Sequence, residues 1–291
     1  METSNRQGIT AALGAYVLWG LLPVYFKLLQ QTSAFEILAH RVVWSVVFMV
    51  LVLCIAKEFR ATLAFFKDLH NLKWVIASAM LIAVNWLIFI WAVNDGRILE
   101  TSLGYYINPI INMFMAMLFL GERMRPIQWV AFALAILGVA VQVIEVGYLP
   151  WVALCLAFSF GGYGLIKKKR PIEARKGLFV ETIVLAPVAI VYLAWLSSTG
   201  EMSFSNNVQD SWLLPLTGIL TAVPLLLYTA AANRISFTTL SFFQYLAPSM
   251  TFILAVTVYD EHLGMPQLIS FACIWIGLIL YTSDSLRRRR K

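Results

Sequence analysis

Residues 94–128 read NDGRILETSLGYYINPIINMFMAMLFLGERMRPIQ, and residues 233–267 read NRISFTTLSFFQYLAPSMTFILAVTVYDEHLGMPQ. Laid over each other without a gap, they match at Asn94 and Asn233, Tyr106 and Tyr245, Pro109 and Pro248, Glu122 and Glu261, and Gln128 and Gln267; further on in the same register, Gly138 meets Gly277. In so apolar a chain, coincident Leu and Ala carry no weight. Polar residues, Pro and Gly repeated without a gap mark an internal duplication. Upstream the similarity thins, although Lys27 and Lys167 still correspond after a shift of one position.

The surrounding composition says what is duplicated. Of 291 residues, 60% are apolar and 13% charged, against roughly 45–50% and about 25% in soluble domains. One membrane-spanning helix takes about 20 mostly apolar residues. The chain divides into ten such stretches, at residues 8–29, 34–56, 72–93, 101–120, 127–144, 148–166, 177–196, 211–232, 239–259 and 266–283. No room remains for a sizeable extramembrane domain, and the runs are too long and uniformly apolar for a transmembrane barrel. The expected fold is an all-α polytopic membrane protein of ten helices. The first repeat occupies residues 1–146 and the second residues 147–291. Five spans per repeat is an odd number, so the second copy enters the membrane inverted, a plan that lets one central site open alternately to either side.

Basic residues set the orientation, because short cytoplasmic loops accumulate them. With the N-terminus inside, the interior segments hold Arg6, Lys57, Arg60, Lys67, Lys73, Arg123, Arg125, the cluster of Lys and Arg between 167 and 176, Arg234 and the tail from Arg287 to Lys291. The exterior loops hold only Lys27 and Arg97. Both termini are therefore expected in the cytoplasm of a bacterial inner membrane. The net charge of +7 reads as topology determinants beside anionic headgroups, and nucleic-acid binding is excluded.

The motifs for chemistry are few. Cys54, Cys155 and Cys273 lie inside apolar spans without CxxC spacing and read as core packing. Gly161, Gly162 and Gly164 lack the strand before and the GK[ST] after that a phosphate loop requires, and read as close helix contacts. Glu122 and Glu261 precede spans five and ten, where an acid suits the positive helix end. Neither a cofactor nor a metal is expected.

Polar residues inside the spans carry the functional expectations. A charge near the bilayer centre costs about 2.5–3.5 kcal/mol on the insertion scale. Arg41 lies two turns into span two, Glu36 and His40 share a face there at i and i+4, and Lys27 ends span one. These four are expected to form a polar network at the exterior mouth, with His40 as the group able to titrate near neutral pH; a purely structural network is the alternative. Pro109 and Pro248 free the carbonyls of Tyr105 and Gln244 and are expected hinges. Around them Asn85, Trp86, Tyr105, Tyr106, Asn108, Asn112, Tyr163, Tyr228, Gln244 and Tyr245 are the expected cavity lining. Tyr and Asn suit a neutral, partly aromatic solute. Trp19, Trp44 and Trp91 read equally well as interfacial anchors, and Glu181 as a partner for the basic loop at 167–176.

The segments AYVLWGLLPVYFK (15–27), EILAHRVVWS (36–45), NWLIFIWAVNDGRILETSLGYYINPIINM (85–113) and GERM (121–124) resemble the EamA-type drug/metabolite transporter superfamily, and within it the RarD-like permeases, a group labelled chloramphenicol-sensitivity proteins. The resemblance runs over the whole chain. It implies a carrier in which spans one, three, four, six, eight and nine surround a central cavity and spans five and ten serve as scaffold, and it favours export. The expected function is secondary-active transport of a small metabolite or drug-like solute by alternating access. An intramembrane enzyme using Glu36 and His40 as acid and base is the alternative from another class. The expected partners are the solute and the lipid bilayer, with a proton as the candidate coupling ion and a homodimer as the candidate assembly.

Overall fold

The structure, a computed structural model, describes residues 2–29, 31–95, 98–147, 150–204, 208–258 and 264–287, and among these it contains no strand. The helices are α1 (Glu2–Lys27), α2 (Ala34–Ile55), α3 (Phe59–Ala64), α4 (Leu69–Asn94), α5 (Ile98–Leu120), α6 (Pro126–Val146), α7 (Trp151–Lys169), α8 (Ala174–Thr199), α9 (Val208–Ala232), α10 (Phe237–Gln244), α11 (Leu246–Val258) and α12 (Met265–Arg287). A 3₁₀ turn at Phe65–Lys67 joins α3 to α4. Eight of these helices are long and apolar enough to cross a membrane. The sixth expected span corresponds to α7, whose last turn carries Lys167, Lys168 and Lys169.

The ninth expected span is two helices. At eight and 13 residues, α10 and α11 are too short to cross singly, since a helix rises only about 1.5 Å per residue. The break follows from Pro248, which has no N–H for the Gln244 carbonyl. The Tyr245 N–H turns back to Phe242 O at 3.3 Å, and the ladder resumes with Ser249 N–H on Tyr245 O at 3.1 Å. Pro109, its counterpart, sits inside an unbroken α5. Of the two expected hinges, only one interrupts its helix.

Helix ends are set by local chemistry. Pro126 opens α6, and the Gln128 side chain accepts the Arg125 N–H at 3.0 Å. Gly200, at φ 74°, closes α8 in the left-handed conformation that glycine adopts at least cost.

Packing between the helices is regular. The bundle pairs α6 with α12, α5 with α7, α1 with α9 and with α10–α11, α4 with α7 and α8, and α2 with α8 and α9. Contacts give the directions. A Cβ on Gly138 would stand 2.8 Å from Ser270 O and one on Gly277 3.0 Å from Ala131 O, while Gln142 bonds Ser270 Oγ at 2.8 Å, so α6 and α12 run antiparallel. Gly104 abuts Ala153 and Leu156, and Gly161 abuts Ile111 and Asn112, so α5 and α7 run parallel. Likewise Gly8 abuts Ile235 and Gly20 abuts Met250, so α1 runs parallel to α10–α11.

The packing corrects two sequence expectations. Cys54 and Cys155 are exposed and Cys273 is half-buried. The outer face of a membrane helix is as apolar as its inner face, so an apolar span does not say which way a cysteine points. Glu122 acts on a different helix from the one it precedes: its carboxylate accepts the Phe237 and Thr238 N–H groups at 2.7 and 2.9 Å, at the start of α10. The dipole logic holds, but sequence adjacency names the wrong helix. Glu261 lies outside the described residues.

Candidate functional site

One end of the bundle gathers the start of α1, the end of α9, the α5–α6 turn and the α7–α8 turn, and is called here the basic end. The expected polar network belongs to the opposite end, where the structure divides it. Glu36, 1% exposed, accepts the backbone N–H groups of Ser203 and Phe204 at 2.8 and 3.1 Å. His40 stacks on the Phe204 ring at 4.9 Å and accepts Trp44 Nε1–H at Nδ1, 3.2 Å. An acceptor at Nδ1 requires a neutral ring with its proton on Nε2, which points toward Glu36 at 3.9 Å. These two residues therefore fasten the segment after α8. Trp44 serves that contact as well.

Arg41 turns elsewhere. Its Nε–H donates to Thr221 Oγ1 on α9 at 2.9 Å. Its guanidinium lies 5.5 Å from the Phe26 ring centre on α1 and 5.0 Å from that of Trp86 on α4. The Tyr105 hydroxyl on α5 is within its electrostatic reach. Tyr105 is 51% exposed and packs edge-on against Phe89 at 6.1 Å. Arg41 is half-buried, and the described residues place no carboxylate within ion-pair distance of it. Five helices thus converge on one cation, about 10 Å into α2. Lys27 closes α1, but its side chain lies outside what the structure describes.

Between Arg41 and the basic end, aromatic rings pack against one another. Trp19 sits 6.0 Å from Phe160 and 5.8 Å from Tyr228, and Tyr163 stacks on Tyr228 at 5.9 Å. The hydroxyls of Tyr16 and Tyr228 are buried without a hydrogen-bond partner. Beyond the rings lies a buried ion pair, Lys167 Nζ to Glu181 at 2.6 Å, with side chains 5% and 3% exposed. The Ser78 hydroxyl also donates to Glu181.

Most of the expected cavity lining fills contacts between helices. The Asn108 amide donates to Ala157 O at 3.0 Å, Asn112 donates to Asn108 Oδ1 and Gln244 Oε1, both at 2.9 Å, and Gln244 donates to Asn108 Oδ1 at 2.5 Å. This carboxamide knot ties α5, α7 and α10 together, and a side chain at Gly161 would strike it. Asn85 bonds Leu156 O and Ser159 Oγ on α7, each at 2.9 Å. The Tyr245 hydroxyl donates to the carbonyl of its repeat mate Tyr106 at 3.3 Å. Of the ten residues, Trp86 and Tyr105 stand beside Arg41, and Tyr163 and Tyr228 belong to the aromatic cluster beneath it. Two shallow depressions of about 360 Å³, one beside Arg6 and Leu227 and one beside Cys54 and Arg60, contain none of the ten.

Sequence reasoning passes over Thr221 and Phe26 around Arg41, and over Ser78 beside Glu181. It also overstates the lipid role of the basic loop: Lys167 is in the ion pair, Lys168 caps α9 through Ala232 O and Ile235 O at 3.0 and 2.6 Å, and Arg175 reaches Glu58 at 2.7 Å. Outside the membrane, hydrogen bonds from Lys176 and Arg175 hold the Glu173 carboxyl below its usual range. The duplication does contain a signal: in the register that maps Lys27 to Lys167, Arg41 maps to Glu181.

Known proteins resemble this chain over its whole length. A model of the EamA-like transporter family matches twice, over residues 6–144 and 149–283. Protein RarD of Escherichia coli is 46% identical over 289 residues, covering 99% of this chain and 97% of its own. Protein RarD of Salmonella typhi is 45% identical over 288 residues, covering 99% and 98%. A chain in a solved crystal structure shares the fold with a TM-score of 0.71 at 18% identity, covering 96% of each. The chain therefore belongs to the EamA-like transporter family, and is a RarD-like permease: a multi-pass membrane transporter.

Proposed function

We propose that the protein is a ten-span secondary carrier whose two inverted five-span repeats alternate access to the Arg41 chamber, and that it exports a small solute from the cytoplasm. Arg41 carries this reading: a half-buried cation where five helices converge, with the rings of Trp19, Phe160, Tyr163 and Tyr228 packed between it and the basic end. The helix pairing supports the repeat. Exchanging span numbers by five turns α1 with α9 into α7 with α4, α1 with α10–α11 into α7 with α5, and α2 with α9 into α8 with α4. The same exchange carries Gly138 against Ser270 onto Gly277 against Ala131, and the antiparallel run of α6 and α12 is what inversion requires.

The unpaired Tyr16 and Tyr228 hydroxyls also support two states. A buried hydroxyl without a partner costs about 1–3 kcal/mol, which water relieves once the aromatic cluster opens. The enzyme alternative lacks support. Glu36 is engaged by two backbone N–H groups, and the relatives' names do not describe an enzyme.

Single cysteines in a background lacking Cys54, Cys155 and Cys273 test the reading in oriented vesicles. Tyr105→Cys is expected to react with an impermeant thiol reagent from the outer face and Tyr228→Cys from the cytoplasmic face, both while counterflow exchange proceeds. Cysteines between Ser197 and Asp210 are expected to label from outside, and those between Lys167 and Lys176 only from inside. Labelling of both chamber positions from one face alone, in a protein that still transports, excludes alternating access.

A further inference from the structure

We propose that Arg41 binds the carboxylate of an organic anion, so that the transported solute is a carboxylate with a flat apolar or aromatic body. The proposal deepens the reading of the Arg41 chamber as the substrate site and rests on it.

The other ionic groups described in the bundle's interior are answered by the protein. Lys167 has Glu181, Lys168 has two backbone carbonyls, and Glu36 and Glu122 each accept two backbone N–H groups. Asp210 accepts the Thr32 hydroxyl at 3.1 Å. Arg41 has one hydroxyl on Nε and two ring faces. Both Nη groups are left without a bond to the described residues. A buried charge without a counter-charge is costly, and the rings supply about 0.5–2 kcal/mol each.

The duplication sharpens the point. The step along the chain from Lys167 to Glu181 in the second repeat equals the step from Lys27 to Arg41 in the first. Where the second repeat has an acid that neutralises a lysine, the first has a guanidinium. Among the described residues no acid stands beside Arg41 to supply that negative charge.

Geometry specifies its form. The bond from Nε to Thr221 holds the plane of the guanidinium and leaves the paired Nη edge free, the edge that receives a carboxylate through two parallel hydrogen bonds. Phe26 and Trp86, with ring centres 5.5 and 5.0 Å from the guanidinium, are the surfaces a flat apolar body would pack on, and the Tyr105 hydroxyl is a further donor. The Asn and Gln amides that would have suited a neutral solute donate to one another, and the Asn112 Oδ1 left over is buried against Gly161.

The test uses the full chain in lipid nanodiscs with matched acids and amides: indole-3-acetate against indole-3-acetamide, and 4-phenylbutyrate against 4-phenylbutanamide. Phenylglyoxal modification of Arg41, read by peptide mass spectrometry, and thermal stabilisation are the two measurements. The acids are expected to slow modification and raise the melting temperature, while the amides do neither. Arg41→Gln is expected to weaken acid binding by roughly tenfold or more, the scale of one charge-assisted bidentate pair. Arg41→Lys, which keeps charge without the fork, is expected to fall between, and it decides the matter if Arg41→Gln does not fold. Equal effects of acid and amide, no protection by either acid at millimolar concentration, or unchanged acid affinity in Arg41→Lys overturns the proposal. Binding needs no transport: acid binding without counterflow refutes the carrier and leaves the anion site, whereas counterflow without acid selectivity does the reverse.

Discussion

Removing the ammonium of Lys167 is the most informative single perturbation of the basic end. At the 2.6 Å separation of Lys167 and Glu181, two unit charges attract by about 6 kcal/mol at an effective dielectric of about 20. Desolvation of two ions costs several kcal/mol each and offsets most of that attraction. The intact pair is thus nearly neutral for stability, yet either partner alone is a buried, uncompensated charge. Lys167→Met is expected to destabilise the protein by about 3–5 kcal/mol, and Glu181→Leu by a similar amount. The double variant is expected to lie within about 1–2 kcal/mol of the parent, because Ser78 still has the Val75 carbonyl at 2.9 Å to receive its hydroxyl proton. Equilibrium unfolding in mixed micelles, followed by circular dichroism, gives all four corners of the cycle. Losses that add in the double variant would falsify the coupling. A single-variant loss below about 1 kcal/mol, the scale of an exposed pair, shows that the site is wet and the end open.

Three further outcomes are expected. Glu122→Gln weakens the two bonds to the start of α10 by removing their charge, at a cost of about 1–2 kcal/mol in the same unfolding assay; an unchanged midpoint removes the capping role. Gly138→Ala and Gly277→Ala each force a methyl group onto a backbone carbonyl of the facing helix and are expected to cost about 1–3 kcal/mol apiece; a large effect in one and none in the other contradicts the two-fold relation of α6 and α12. Pro248→Ala lets α10 and α11 join and is expected to slow solute counterflow more than Pro109→Ala, since α5 is already continuous; equal rates in both variants dismiss the break at Tyr245 as a working hinge.

How much of this was legible beforehand depends on the range of the interaction. Helix content and the duplication are local or periodic properties. Apolar runs of membrane length show them directly, and so do Pro, Gly and Tyr returning in a fixed register between the two halves. That Arg41 needs an explanation is also visible in the sequence, since a charge inside a span is expensive wherever the helix is placed.

Partner choice is not visible there, because it depends on which helix faces which. Glu36, His40 and Arg41 are close neighbours in sequence. Yet the rotation of the helix from one residue to the next sends a carboxylate and an imidazole to the Ser203–Phe204 segment and aims the guanidinium at α1, α4 and α9. Asn108, Asn112 and Gln244 have the chemistry of a binding site but bond chiefly to one another, only the Asn112 Oδ1 among the knot's side-chain oxygens being left without a partner among the described residues, since in a bilayer an amide lacking water turns to another amide. The sequence alone thus determines that this is a duplicated, helical, membrane-embedded chain with a cation at depth. Tertiary packing alone decides which polar groups are spent on holding helices together and that, among the described residues, Arg41 has no carboxylate to pair with.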